Sequence, residues 1–304
     1  MDLTRRAILT AAAGLAIPAA FARERQADAS TALQTLESRA GGRLGVCILD
    51  ADTGREIGHR LDERFAMCST FKLPLAAVIL HEADSGRLRL SDAIRFSQKD
   101  MVSFAPVTSL HLAKGEMTVA ALAEAAQVTS DNVAANLLLK RLGGPAAFTR
   151  ILRSVGDEKT QLDRFEPTLN LVLPGEANDT TTPRAMANTM TRFLAGDLLK
   201  PSSRDLLTTW MIATKTGAKR IRAGLPKTWR AGDKTGTALA DAMTDKINDV
   251  AIAWPPGQPP LVVTAYFDND TRSADVRAED EAVLADVGRI AAAWAVSRPP
   301  ARRS

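Results

Sequence analysis

Histidine, cysteine and long apolar runs are all scarce in this chain, and each scarcity excludes something. Of 304 residues three are histidine (His59, His81 and His111), set 22 and 30 positions apart. None forms the H-x-H or H-x-x-x-H spacing that brings two imidazoles onto one metal, so no zinc site is expected. The two cysteines, Cys47 and Cys68, make an even pair, which an oxidising compartment can close as a disulfide. Cys47, however, sits inside the apolar, strand-like Leu44 to Leu49, and two buried free thiols are the favoured reading. No segment offers the roughly 20 strongly apolar residues that a bilayer span needs, so no stable membrane insertion is expected. Repeats and low-complexity tracts are also missing. The net charge of +4 is too small to suggest a nucleic-acid partner, and the basic, proline-rich Arg298 to Ser304 reads as a solvated tail.

What is present is an ordinary globular composition, 45% hydrophobic and 24% charged, enough for one large or two modest domains. The first 22 residues stand apart. A charged start with Arg5-Arg6, a weakly apolar run from Ala7 to Ala20 and the small-x-small Ala20-Phe21-Ala22 read as a cleavable export signal. The paired arginines favour the twin-arginine route, and the mature chain is expected to begin near Arg23, in the periplasm.

Beyond the signal, Ser30 to Ala40 has helical spacing, and Arg43 to Asp50 and Arg55 to Leu61 read as a hairpin of strands across Ala51-Asp52-Thr53-Gly54. From Ser69 to about Ala213 helix punctuation dominates: Thr118 as a cap, Gly143-Gly144 as a stop, Pro145 and Pro183 as first-turn prolines. Strand composition returns at Thr228 to Lys234, Asn248 to Trp254 and Leu261 to Phe267, and Ala278 to Ala295 closes as a helix. The expected fold is mixed α/β of the α+β type. A mainly antiparallel sheet is built from both chain ends, 23–62 with 214–304, and an all-α domain, 63–213, is inserted between them.

Four motifs follow one another in this frame: Ser69-Thr70-Phe71-Lys72, Ser130-Asp131-Asn132, Glu166-Pro167-Thr168-Leu169-Asn170 and Lys234-Thr235-Gly236. Ser69 and Lys72, three positions apart on a helix, put a hydroxyl nucleophile beside an amine that can take its proton. Alone, Ser-x-x-Lys is weak, arising by chance about once in such a chain. Phe71, Leu73, Pro74 and Leu75 suggest that Lys72 is buried, which lowers its pKa, while a nearby carboxylate raises it, and the sequence leaves that balance open. Ser130 in isolation reads as a helix cap. Glu166 in a loop reads as solvated unless it serves as a general base. Lys-Thr-Gly occurs twice; Lys215-Thr216-Gly217 follows a helix-like segment and reads as a decoy, whereas Lys234 follows a strand and fits a sheet edge open to a ligand.

Taken in this order, the motifs resemble those of the class A serine β-lactamases, from about Ser30 to about Ala295. The resemblance implies a β-lactamase/transpeptidase-like fold and a monomer acting on small-molecule β-lactams without metal or organic cofactor. It implies that Ser69 is acylated by the lactam, that Ser130 relays a proton to the departing nitrogen, and that Glu166, with Asn170, activates the water that frees the ester. Asn132, Lys234, Thr235, Gly236 and Thr237 would bind substrate, the Thr237 and Ser69 amides forming an oxyanion hole. Arg220 matches a carboxylate-supporting arginine of some relatives, or else is a surface arginine. Phe104 takes the place of the family's aromatic gate, or else is a core side chain. Arg164 to Asp179 resembles the family's Ω-loop, closed by its own opposite charges, with Glu166-Pro167 in cis. Carbapenem-hydrolysing relatives pair the cysteine before the serine with one just past Lys-Thr-Gly, where this chain has Thr237-Ala238. A D,D-peptidase or a β-lactam sensor shares three of the motifs but is expected to lack the deacylating Glu166 and Asn170.

Overall fold

The β-branched segments at the two ends of the chain meet in one sheet. The computed structural model describes the backbone of residues 19–240 and 242–296, with side chains from residue 28 onward. Most of the expected export signal and the Arg298 to Ser304 tail therefore lie outside the described residues. Helix α1 (Ala19–Ala40) leads into β1 (Arg43–Asp50) and β2 (Glu56–His59), then the short β3 (Phe65–Ala66). A 3-10 turn, Cys68–Phe71, passes into α2 (Lys72–Asp84), followed by β4 (Ala93–Arg95), β5 (Glu116–Thr118), α3 (Val119–Val128), α4 (Asn132–Leu142) and α5 (Pro145–Ser154). After the loop around Glu166 come β6 (Thr180–Thr181), α6 (Pro183–Leu194), α7 (Pro201–Ile212) and the single turn α8 (Ile221–Gly224). Strands β7 (Arg230–Ala240), β8 (Met243–Trp254) and β9 (Leu261–Asp268) and helix α9 (Ala278–Val296) complete the chain.

The five-stranded sheet has the order β2-β1-β9-β8-β7 and is antiparallel throughout, so β7 is an edge. Both of its faces are covered. Leu44, Val46 and Ile48 of β1 pack with Val263, Ala265 and Phe267 of β9 against α1 and α9. Cys47, Leu49, Val262 and Tyr266 point the other way, into the core of α2 to α7. This alternation is the two-residue period of a strand written into two cores. Cys47 and Cys68 are buried free thiols in separate clusters, Cys68 packing with Ala66, Val172, Ala238 and Met243.

Several boundaries differ from the sequence expectation. Helix α1 begins at Ala19 rather than Ser30, because the alanines between them favour helix. Strand β7 runs through Gly236 to Ala240, beyond the expected end at Lys234, since pairing with β8 continues past the glycine to a bulge between Ala238 and Ala240. The cap of α4 is Asp131, whose carboxylate accepts from Ala134 N at 2.9 Å, and not Ser130. Asp131 also accepts from Val107 N, Thr108 N and the Thr108 hydroxyl, a structural role that leaves the Ser130 side chain free for other partners.

Candidate active site

Three elements converge on Ser69. The turn Cys68–Phe71 and the first turn of α2 place the Lys72 amine 2.9 Å from the Ser69 hydroxyl. Glu166, from the loop ahead of β6, brings Oε1 to 3.3 Å from the same hydroxyl and 2.9 Å from Lys72 Nζ. The α3–α4 connection contributes Ser130 and Asn132: Lys72 Nζ donates to the Ser130 carbonyl at 2.9 Å and to Asn132 Oδ1 at 2.5 Å. Lys72 and the Glu166 carboxylate are fully buried. Burial pushes the Lys72 amine below its ordinary range, opposed by the charge and hydrogen bond of Glu166, so the question left open by the sequence falls on the side of burial.

The hydrogen-bond arithmetic around Lys72 is tight. A protonated amine has three N–H donors, and the Ser130 carbonyl, Asn132 Oδ1, Glu166 Oε1 and the Ser69 hydroxyl, all within 2.9 Å, share them, so that Ser69 is an acceptor from Lys72. Ser69 must then direct its own proton at Glu166. A neutral amine keeps two donors and turns its lone pair to the Ser69 hydroxyl. In either state the Ser69 proton faces a base.

Strand β7 supplies the opposite wall by alternation. Lys234 and Gly236 face the helices: Lys234 Nζ donates to Ser130 Oγ at 3.0 Å and to the Thr235 carbonyl at 2.8 Å. A Cβ on Gly236 would lie 2.7 Å from the Met67 carbonyl and 3.1 Å from Thr70 N, so only glycine lets the strand come this close to the turn that carries Ser69. Asp233, Thr235 and Thr237 face α8 and the segment before it. There Arg222 Nε meets Asp233 at 2.5 Å, the Thr216 and Thr235 hydroxyls are 2.6 Å apart, and Arg220 Nη2 donates to Thr237 Oγ1 at 2.8 Å. Arg220 is buried, also donating to the carbonyls of Gly236 and Asn248, which excludes the surface-arginine alternative. Burial, and next the charge of Lys72, push Lys234 well below the ordinary range of an amine.

The loop that carries Glu166 is closed by Arg164, whose Nε meets Asp179 Oδ2 at 2.5 Å, and Asp179 also accepts from the backbone N–H of Asp163 and of Arg164. The Glu166-Pro167 bond is cis. Asn136 on α4 clamps Glu166 through two bonds, accepting from its N–H and donating to its carbonyl, each at 2.9 Å. Asn170 donates to Glu166 Oε2 at 2.5 Å and leaves its own Oδ1 buried without a partner. Cys68, Phe104 and Ser130 all adopt left-handed backbone conformations, with φ of 47°, 62° and 63°. Such strain in non-glycine residues gathers at functional sites, at about 1–3 kcal/mol each.

The cleft between these walls, about 350 Å³, is lined by Ser69, Ser130, Asn132, Asn170, Thr235 and Thr237, and Arg220 reaches it from behind Thr237. Phe104 is 60% exposed at its rim, so it is not a core residue. A larger cavity of about 620 Å³ behind loop residues 172–176 holds none of these side chains. Sequence reasoning missed Asn136, Val276 and Thr216. Thr216, from the Lys-Thr-Gly copy set aside as a decoy, lines the cleft beside Thr235.

A serine hydroxyl held between a buried amine and a buried carboxylate, at the edge of an antiparallel sheet, defines a serine hydrolase. The model of the β-lactamase enzyme family matches residues 28–295. β-Lactamase L2 of Stenotrophomonas maltophilia is 47% identical over 264 residues, covering 86% of this chain and 84% of its own length. Among solved structures, an ancestral (GNCA) class A β-lactamase superposes with a TM-score of 0.81 at 53% identity, over 86% of this chain and 98% of that one. A β-lactamase from Xanthomonas campestris gives 0.81 at 46% identity, over 88% and 97%. The chain belongs to the class A serine β-lactamases.

Proposed function

We propose that this enzyme opens β-lactams through an ester on Ser69 and frees the product with a water activated by Glu166. The observation that carries the reading is the contact of one hydroxyl, Ser69, with both Lys72 and Glu166. Lys72, its pKa lowered by burial, takes the proton as Ser69 Oγ bonds to the lactam carbonyl. The amides of Ser69 and Thr237 stabilise the developing oxyanion. Ser130 Oγ lies 3.4 Å from Lys72 Nζ and 3.0 Å from Lys234 Nζ, and carries a proton to the lactam nitrogen as the C–N bond breaks. Asn132 holds the substrate's side-chain amide, Phe104 flanks it, and Thr235, Thr237, Lys234 and Arg220 receive its carboxylate.

Hydrolysis of the ester needs a water between Glu166 and Asn170. The orphaned Asn170 Oδ1 is an acceptor for it, and Glu166 takes its proton. These two side chains favour a lactamase over a D,D-peptidase or a sensor. The decisive measurement is intact-mass spectrometry with a penicillin beside a turnover assay. Wild type turns over with little adduct and Ser69→Ala forms none and does not turn over; a wild type that stays acylated for hours is a penicillin-binding protein or sensor instead.

The enzyme works as a monomer outside the cytoplasmic membrane, exported through Arg5-Arg6. Among the described residues no helix is long and apolar enough to cross a membrane. Replacing both arginines with lysine blocks periplasmic activity if the twin-arginine route is used; unchanged activity assigns the general route.

A further inference from the structure

The hydroxyls on the strand wall are ordered from behind. Arg220 is a donor only, so in its 2.8 Å contact Thr237 Oγ1 must accept, and the Thr237 proton is left to point elsewhere. Thr235 repeats this arrangement one pleat away, with Thr216 Oγ1 at 2.6 Å in place of the guanidinium. Either threonine can donate in that pair. The two directions have opposite consequences for the cleft, because a Thr235 that donates backwards shows only lone pairs to a ligand, whereas one that accepts shows its proton. Thr216 is an exposed residue, so giving its proton to Thr235 leaves its lone pairs on the side of solvent rather than in the core.

We propose that Thr216 is a positioning residue for substrate binding: its hydroxyl donates to Thr235, which turns the Thr235 proton toward the carboxylate of the β-lactam. The assignment rests on the lactamase reading above and adds to it a residue that never touches the reacting atoms. It gives the second Lys-Thr-Gly copy a purpose, since a threonine at that point of the chain stands behind the threonine of the first. It also predicts discrimination by charge: an anion at that end of the cleft feels the direction of the Thr235 proton, and a neutral group there feels it weakly.

The test compares wild type, Thr216→Val and Thr216→Ser on a penicillin and on its methyl ester. Valine keeps the shape and removes the donor, whereas serine keeps the donor. With a hydrogen bond to a charged partner weakened rather than removed, KM for the free acid rises about five- to tenfold in Thr216→Val while kcat stays within about twofold. KM for the ester changes less than about twofold, and Thr216→Ser recovers most of the affinity for the acid. Equal KM values for the acid in wild type and Thr216→Val overturn the proposal, as do equal losses on acid and ester or a serine variant no better than valine. A wild type that hydrolyses neither compound sinks the lactamase reading instead, and this one with it.

Discussion

The two lysines of the cleft are both fully buried, yet their surroundings differ in the one respect that decides what each can do. Lys72 has its counter-ion built in, with Glu166 Oε1 at 2.9 Å. Lys234 bonds only a hydroxyl and a carbonyl, and among the described residues it enters no ion pair. Burial lowers both amines; for Lys72 the paired Glu166 opposes it through charge and a hydrogen bond, while for Lys234 the neighbouring Lys72 adds to it and Asp233 and Glu166 oppose it by charge alone, without an ion pair. A buried amine with its carboxylate in place can pass a proton back and forth without changing the net charge of its pocket. A buried amine without one is costly as an ammonium until an anion arrives. The contrast supports assigning proton transfer to the helical wall and carboxylate recognition to the strand wall.

Glu166→Ala separates the walls most sharply. It removes the base proposed to activate the water but leaves Ser69, Lys72 and the whole of β7, so acylation is expected to continue and hydrolysis of the ester to fall about 10²–10⁴-fold. A stoichiometric adduct on Ser69 then accumulates in the mass spectrum. If the variant never acylates, Glu166 serves the first step too, and the division between the walls is wrong. On the strand side the counterpart is Gly236→Ala. Its Cβ meets the backbone of Met67 and Thr70, which cannot swing aside, so β7 must retreat from the turn that carries Ser69. Misplacement by about 1 Å costs on the order of 10²-fold in rate, and overpacking about 1–3 kcal/mol in stability. Turnover above a third of wild type shows that the close approach is not required.

How much of this was legible in the sequence follows the same division. Ser69 with Lys72, and Lys234 with Gly236, announce themselves because their partners are neighbours in the chain and helix or strand period fixes which face each takes. Asn136 and Thr216 do not. Asn136 reads as an ordinary polar residue of α4, and only tertiary packing shows that its amide holds the backbone of Glu166, thirty positions away. Thr216 sits in a turn without strand composition, and its value comes from the pairing of β7 with β8, which turns Thr235 toward it. Ser130 looked like a cap because its neighbour Asp131 actually is one. Sequence separation, not residue type, marks the boundary of what could be read.

A smaller effect is expected for Arg220→Ala, which strips donors from the Gly236 and Asn248 carbonyls and the Thr237 hydroxyl at once. The lysine wall on the helical side is untouched, so kcat falls little and KM rises about tenfold for substrates that carry a carboxylate. Arg220→Lys recovers little of this, because a point charge cannot make the forked contacts. Steady-state constants for the three proteins decide it; a loss confined to kcat places Arg220 with the proton-transfer groups instead.

The smallest expected effect is on stability. It is confined to the strand wall, where Asp233 precedes Lys234. Burial raises the Asp233 carboxyl to about 6, against the pull of Arg222, and the carboxyl of Asp249, diagonal to it across β7 and β8, is raised further by burial and by Asp233 itself. An acid whose folded pKa is raised binds its proton more tightly when folded than when unfolded, so stability is lost as pH climbs from the ordinary carboxylate range through about 6. The helical wall contributes the opposite sign through Lys72, whose amine burial pushes below its ordinary range, so that stability there rises with pH between the lowered and the ordinary value. The midpoint of thermal unfolding, followed from pH 4 to 7 in wild type and Asp233→Asn, separates the two. The asparagine keeps an acceptor for Arg222 but has no proton to lose, so its midpoint falls less over that interval, by a difference of a few degrees. Parallel curves for the two proteins assign the acid-range dependence to groups outside the strand wall.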